Sequence, residues 1–327
     1  MTSIKTYTYS STLAPYIADF ISQKRELGFI YNNEAYNLQR LDKYWLDNGY
    51  ADEKMTYERL SGWYEAFNGE GKGGQANRIG TTRMFALYMN SIGIESHVFL
   101  DTVRVPRPIV HILDRKEIIE LFDRIDSYVP RTSKVSDARI AYEYPVFFRF
   151  LYCCGMRNGE ACSLKVSDVD LNKGIITIDG GKNRKDRLVY MADDLCQLAM
   201  RYLQKLTHDL GQTPKWFFPG RCPDKHLRKN KVDEKFSIFW NETNASASCD
   251  KKPTPHCLRH TYVVNRINLW ALAGLDLSVM LVYLSKHLGH SSPDESFYYY
   301  HLAEEAFKIV RQHDSYADDI IPEVRRR

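Results

Sequence analysis

Four short segments of this 327-residue chain concentrate side chains that handle phosphate and protons. In CGMRNGEACSL, residues 154–164, Arg157 follows a glycine turn and opens a helix-like run, with Glu160 three residues on. A helix start offers free backbone N–H groups and partial positive charge, so an arginine there strengthens an anion site. The loop DGGKNRKD, residues 179–186, carries Lys182, Arg184 and Lys185, and a lysine on such a loop can reach a phosphate or protonate a leaving oxygen. In TPHCLRHTYVV, residues 254–264, Pro255 suits the first helical position after a Thr254 cap. His256 and Arg259 then share one face, pairing a proton-transfer group with a guanidinium fork suited to phosphate oxygens. In LGHSSPDESFYYYHL, residues 288–302, Ser292 and Glu295 form a capping box with Pro293 between them. His290 lies just before that helix and Tyr299 about two turns along it. Tyr298, Tyr299 and Tyr300 are adjacent and splay by about 100° each on a helix, so only one can enter a given site.

Each segment also has a plain structural explanation: a surface arginine near a cap, a solvated charged turn, a packed helix with a polar edge, an aromatic core face. His256 and His260 have the i, i+4 spacing of a zinc pair, but Cys257 stands where the glutamate of HExxH belongs. A metal site is not expected.

The elements that position these residues fall into two parts. Residues from about 12 to 95 read as helical, with Leu13, Ile17, Phe20 and Ile21, then Tyr36, Leu38, Leu41 and Trp45, at helical spacing. Two shorter helices are expected near 56–67 and 75–92, with the glycine-rich stretch 69–74 as the loop between them. Val103 to Pro108 holds two prolines and alternates basic with apolar residues, which favours an extended linker. At Asp114 a capped helix, DRKEIIELFDRI, begins a second part. Within it, Gly174–Ile178 and Arg187–Met191 read as two short strands around the charged loop, and the rest as helix. The expected fold is mainly α with a small β-sheet, in two domains: 1–103, a linker over 104–112, and 113–327.

Composition sets bounds without naming a function. A net charge of +4 gives nucleic-acid binding modest support, because arrangement matters more than total. Seven cysteines without a CxxC pair fit a reduced, cytosolic protein rather than a disulfide framework. The most apolar stretch, Ile267 to Leu284, is broken by Asn268, Asp276 and Ser278, and reads as core helices around a turn at Ala273-Gly274 rather than a membrane span.

Taken together, the segments supply arginine, lysine, histidine, arginine, histidine and tyrosine in that order, and the chain resembles the tyrosine recombinase, or phage integrase, family. Arg157 with Glu160 matches the family's Gly-Leu/Met-Arg-x-x-Glu box. Lys182 matches best its hairpin lysine, with Lys185 as the other choice. The His-x-Leu-Arg-His-Thr box is complete from His256 to Thr261, and the Leu-Gly-His box spans 288–290. The nucleophile lies nine residues beyond His290, at Tyr299, ahead of the Tyr300-His301-Leu302 ending. The motifs cover roughly residues 110–305; the N-terminal part fits the family's core-binding domain by size and type. Asp294-Glu295-Ser296 departs from the usual Ser/Thr-rich stretch before the tyrosine.

The resemblance implies a two-domain clamp on double-stranded DNA with specific recombination sites, self-association there as a tetrameric synapse, and a 3′-phosphotyrosyl intermediate. It implies Arg157 and Arg259 on the non-bridging oxygens, His256 on the tyrosine proton, Lys182 as acid, His290 on the phosphate and Glu160 in support. No cofactor is expected, since cationic side chains replace metal ions. Arg78, Arg83, Arg184, Lys185 and Lys229 are candidate DNA contacts. A further arm-binding domain is not expected, and the segment from about Ala303, with Ala306, Phe307, Ile309 and Val310 on one side, is expected to dock on a neighbouring protomer. A type IB topoisomerase and a catalytically silent DNA-binding regulator are the alternatives.

Overall fold

The computed structural model describes residues 4–106, 110–130, 132, 134–179, 186–249, 252–290, 292 and 294–303. The chain divides into two units, Met1–Pro108 and Ile109–Arg327.

Among the described residues the first unit holds four helices: α1 (Ala14–Glu26), α2 (Asn32–Asp47), α3 (Tyr57–Tyr64) and α4 (Lys72–Ser91). Of the positions read from the spacing, Leu13, Ile17, Phe20, Ile21, Leu38, Leu41 and Trp45 enter its core with Trp63, Phe85 and Met89, whereas Tyr36 is exposed. Thr56 caps α3, accepting a hydrogen bond from the Arg59 amide. α4 begins three residues before the expected start, taking Gly73 and Gly74 into its first turn. Tertiary anchoring outweighs their weak helix propensity: Gln75 donates to the Tyr64 carbonyl at 3.0 Å.

Arg78 supplies a second anchor, and this corrects its expected role as a DNA contact. Its guanidinium is fully buried, ion-paired to Glu70, bonded to the Trp63 and Glu65 carbonyls, and stacked over Phe67 with 4.1 Å to the ring centroid. A buried arginine paired this completely is part of the core and cannot reach a phosphate without unfolding its surroundings.

The second unit opens with α5 (Arg115–Asp126), whose expected cap at Asp114 takes the form of a capping box with Glu117. α6 (Val135–Cys153) is its central helix, packed against α5, the short α7 (Asn158–Cys162) and α8 (Asp193–Leu210). Phe147 and Phe150 of α6 meet Phe217 and Phe218, which pack on Tyr202, and Phe148 meets Phe236 and Phe239, in one aromatic core. The sheet is antiparallel in the order β1 (Val169–Asp170), β2 (Ile175–Ile178), β3 (Arg187–Tyr190), so a two-residue strand joins the two expected. Ile176 faces Val189 across β2 and β3. After α9 (Lys229–Asn241) come α10 (His256–Leu272) and α11 (Leu277–Leu288), joined through Gly274 at φ +67, which confirms the expected turn. Among the described residues no helix is long and apolar enough to cross a membrane.

Among the described residues the last α-helix, α12 (Asp294–Phe297), is only four residues long. The helix expected to carry Tyr299 two turns in therefore stops sooner. Tyr299 sits in the turn between α12 and a 3₁₀ turn at Tyr300–Leu302. Its ring joins Val263, Ile267, Leu281 and Leu288 in a small core between α10 and α11.

Candidate active site

The site is organised by the C-terminal end of α11. The last carbonyls of a helix lack partners within it and carry partial negative charge. Here three successive ones are each met by an arginine. Arg187 Nε donates to His287 O, Arg259 Nη2 to Leu288 O and Arg157 Nη2 to Gly289 O, all at 2.8 Å. Gly289 turns the chain out of the helix at φ +64, and a Cβ there would lie 3.0 Å from Arg187 Cδ, so the close approach also calls for glycine. Arg259 donates a second bond, from Nη1 to Gly155 O at 2.7 Å. Gly155 has φ +61, and a Cβ would stand 2.5 Å from the Tyr262 ring. The glycine before the first arginine box thus places a carbonyl for the second arginine.

Glu160 neutralises part of this charge. Its Oε1 accepts from Arg157 Nη1 at 2.9 Å and Arg187 Nη1 at 3.0 Å, and its Oε2 from the Arg157 amide at 2.9 Å and Arg187 Nη2 at 2.7 Å. Burial pushes the Glu160 pKa up, but the Arg187 and Arg157 guanidiniums more than offset this and hold it below the usual carboxylate value. Arg259, 2% exposed, is lowered to about 10 by burial and by repulsion from Arg157, and stays charged at neutral pH. Each guanidinium has five N–H donors, more than these contacts consume.

Beside the arginines stand three histidines and the tyrosine. Tyr299 Oη lies 2.6 Å from His260 Nδ1. The His256 ring meets His260 edge-on, with centroids 4.4 Å apart, and keeps a side open to solvent. His290 Nδ1 is 2.8 Å from Ser296 Oγ, and its ring lies parallel to that of Tyr299. Desolvation, then the neighbouring positive charges, lowers His256 and His290 to about 4 and His260 to about 3, so all three are neutral at pH 7. Burial raises the Tyr299 phenol to about 12, despite the opposing pull of Arg259. Tyr298 packs edge-on against the Tyr299 and His301 rings. Among the described residues no group of three His, Cys, Asp or Glu side chains is placed to hold a metal ion.

The family model for the phage integrase family matches residues 112–306, more than half of the chain. The chain belongs to that family. Tyrosine recombinases of this family break and rejoin DNA, and this protein is an enzyme of that class. A putative integrase/recombinase, y4rE, from Sinorhizobium fredii is 24% identical over 89% of this chain and 92% of its own length. Tyrosine recombinase XerD from Proteus mirabilis is 26% identical over 72% and 70%. The match to tyrosine recombinase XerA from Pyrococcus furiosus, 28% identical, spans 58% of this chain and 56% of that protein. Among solved structures, the Tn1549 transposon integrase in complex with a circular intermediate DNA aligns with TM-score 0.65 at 14% identity, over 93% of this chain and 99% of that one. The XerH site-specific recombinase bound to difH substrate aligns with TM-score 0.64 at 18% identity, over 91% and 83%. At such identities the structures establish a shared recombinase fold.

Arg157, Glu160, His256, Arg259, His290 and Tyr299, chosen from the sequence, all come together in this integrase-family fold. Lys182, Arg184 and Lys185 lie outside the described residues. Lys229 is exposed at the start of α9, near enough to help depress the His256 pKa. Arg83 is half-buried and donates to the Phe99, Leu100 and Asp101 carbonyls, which fastens the end of the first unit. Two site residues went unassigned in the sequence. Arg187, the first residue of the second expected strand, has no site role in the sequence reading; two residues before the buried Val189 it takes the same, inward face of β3. His260 belongs to the His-x-Leu-Arg-His-Thr box but carries no proton-transfer role in the sequence reading, although its position one turn after His256 puts both rings on one face. The tyrosine hydroxyl, assigned from the sequence to His256, lies instead on His260.

Proposed function

We propose that this enzyme is a site-specific recombinase that cleaves DNA with Tyr299 and rejoins it to a second duplex through a 3′-phosphotyrosyl intermediate. The observation that carries the reading is the 2.6 Å contact between Tyr299 Oη and His260 Nδ1 beside the Arg157–Arg259 pair. A neutral imidazole is an acceptor for the phenol proton, and the two guanidiniums supply the charge that a pentavalent phosphorane needs.

In the proposed step Tyr299 Oη attacks the scissile phosphorus, the P–O5′ bond breaks, and the phenol proton passes to His260. Arg157 and Arg259 bind the non-bridging oxygens. His256, on the open side of His260, and the ring nitrogen of His290 not engaged by Ser296 complete the phosphate site. The leaving O5′ takes a proton from the hairpin lysine, assigned to Lys182 with Lys185 as the alternative. In the DNA-free protein burial raises the phenol and lowers His260, which disfavours proton transfer ahead of attack, and the proton would leave as the Oη–P bond forms. The ester keeps the energy of the broken phosphodiester, so a 5′ hydroxyl from the second duplex can attack it, re-forming the phosphodiester and returning the phenol without ATP.

Residues 1–103 would serve as the core-binding domain, joined by the 104–112 linker to the catalytic domain, the two closing on DNA. Lys229, Arg184 and Lys185 would meet backbone phosphates, and four protomers would assemble on paired sites. A strand-exchange assay with two labelled duplexes, run beside plasmid relaxation, tests the reading. Joint molecules between duplexes support recombination, whereas relaxation without joint molecules would show a topoisomerase. Absence of both, with DNA binding intact, would show a silent regulator.

A further inference from the structure

Outside this cluster, three side chains from separate parts of the second unit stand in line. Glu117, in the first turn of α5, holds His111 through Nε2, with 3.0 and 3.1 Å to its two carboxylate oxygens. The opposite ring nitrogen, His111 Nδ1, lies 3.9 Å from the Sγ of Cys249. A carboxylate is acceptor-only, so its bond to Nε2 requires the proton there and leaves the Nδ1 lone pair facing the thiol. Glu117 is itself fixed by the Asp114 amide at 2.8 Å, and the Trp240 ring packs edge-on against the imidazole. The sequence of nucleophile, base and orienting group is that of an activated thiol. None of the three takes part in the DNA chemistry described above.

We propose that Cys249 is a reactive thiol, activated by His111 and Glu117, and that it is a site of oxidation by peroxides. The Sγ proton moves to His111 Nδ1, and the imidazolium is stabilised by Glu117. The thiolate then attacks one oxygen of the peroxide, forming an S–O bond as the O–O bond breaks. Sulfur is oxidised to a sulfenic acid and the peroxide is reduced. The departing oxygen takes the proton from His111 and leaves as water when the oxidant is hydrogen peroxide. The other cysteines lack this constellation in different ways. Cys222 is exposed. Burial raises the pKa values of Cys153, Cys154, Cys162, Cys196 and Cys257, which keeps those thiols protonated. Cys249 lies seven residues before His256, so a charged or bulky adduct there falls on the segment that leads into α10.

Competition between thiols in the full-length, DNA-free protein tests this. The protein is treated with a small excess of iodoacetamide, or with hydrogen peroxide followed by a sulfenic-acid trap, and each cysteine is followed by peptide mass spectrometry. Cys249 should be modified several times faster than the more exposed Cys222. His111→Gln and Glu117→Gln should each slow Cys249 severalfold and leave Cys222 unchanged. Unfolding of either variant would speed up every thiol, opposite in sign to the expected effect. Faster modification of Cys222 in the unaltered protein, or an unchanged Cys249 rate in both variants, would overturn the proposal.

Discussion

Replacing Glu160 by glutamine keeps the shape of the side chain and removes its charge. Its two carboxylate oxygens accept four hydrogen bonds, three from guanidinium nitrogens and one from the Arg157 amide. A glutamine offers one oxygen in their place, and its NH₂ group faces donors. Two of the four donors lose their acceptor, and the Glu160 and Arg187 side chains are only 10% and 7% exposed. At about 1–3 kcal/mol for each buried unsatisfied group, the loss is about 3 kcal/mol, which agrees with the cost of about 3–5 kcal/mol for breaking a buried ion pair. Urea unfolding at pH 7, followed by a signal from the second unit, reads this directly. Because the folded pKa of Glu160 is depressed, its contribution is complete above the unfolded value of about 4.3 and fades as pH falls through the folded one. The difference between the two proteins should therefore shrink in acid. A destabilisation below about 0.5 kcal/mol at pH 7, the level of an ordinary surface substitution, would refute the role given to Glu160.

Three further outcomes follow from the same geometry. Gly155→Ala must hold alanine at φ +61 and displace the Tyr262 ring; it should cost more than the about 1–2 kcal/mol of left-handed backbone alone and weaken DNA cleavage, as read by urea unfolding and adduct formation. His256, His260 and His290 have depressed folded pKa values, so stability of the DNA-free protein is complete above the unfolded value of about 6.5 and lost as pH falls below it. Melting temperatures from pH 7.5 to 5 should fall, and a flat profile would count against neutral, desolvated histidines. Truncation after Ala303 should abolish cooperative assembly on paired sites while leaving binding to a single site. Intact cooperativity would refute docking of that segment on a neighbouring protomer.

The sequence made the arginines, histidines and tyrosine legible because their boxes are local, with spacing and order agreeing at four places. What joins the boxes was not legible. The carbonyls of His287, Leu288 and Gly289 are backbone groups, and no residue type announces that three arginines distant in sequence converge on them. Helix patterns located α2, α5, α10 and α11, since their apolar faces repeat at regular spacing. The early start of α4 and the short α12 are not legible from local pattern: Gln75 and Arg78 anchor the first through tertiary contacts, and just beyond the second Tyr299 packs against residues of α10 and α11. Arg78 shows the opposite error. A basic side chain on a helix reads as exposed until its partners, Glu70 and the Trp63 carbonyl, are in place.

The most direct test of the account is to locate the covalent bond to DNA. A suicide substrate, nicked so that the 5′ hydroxyl diffuses away after cleavage, traps the intermediate. Digestion and mass spectrometry then identify the linked residue. The account predicts a nucleotide on Tyr299, no adduct with Tyr299→Phe although folding and DNA binding persist, and detectable adduct with Tyr298→Phe or Tyr300→Phe. Adduct on another residue, or undiminished adduct in Tyr299→Phe, would contradict it.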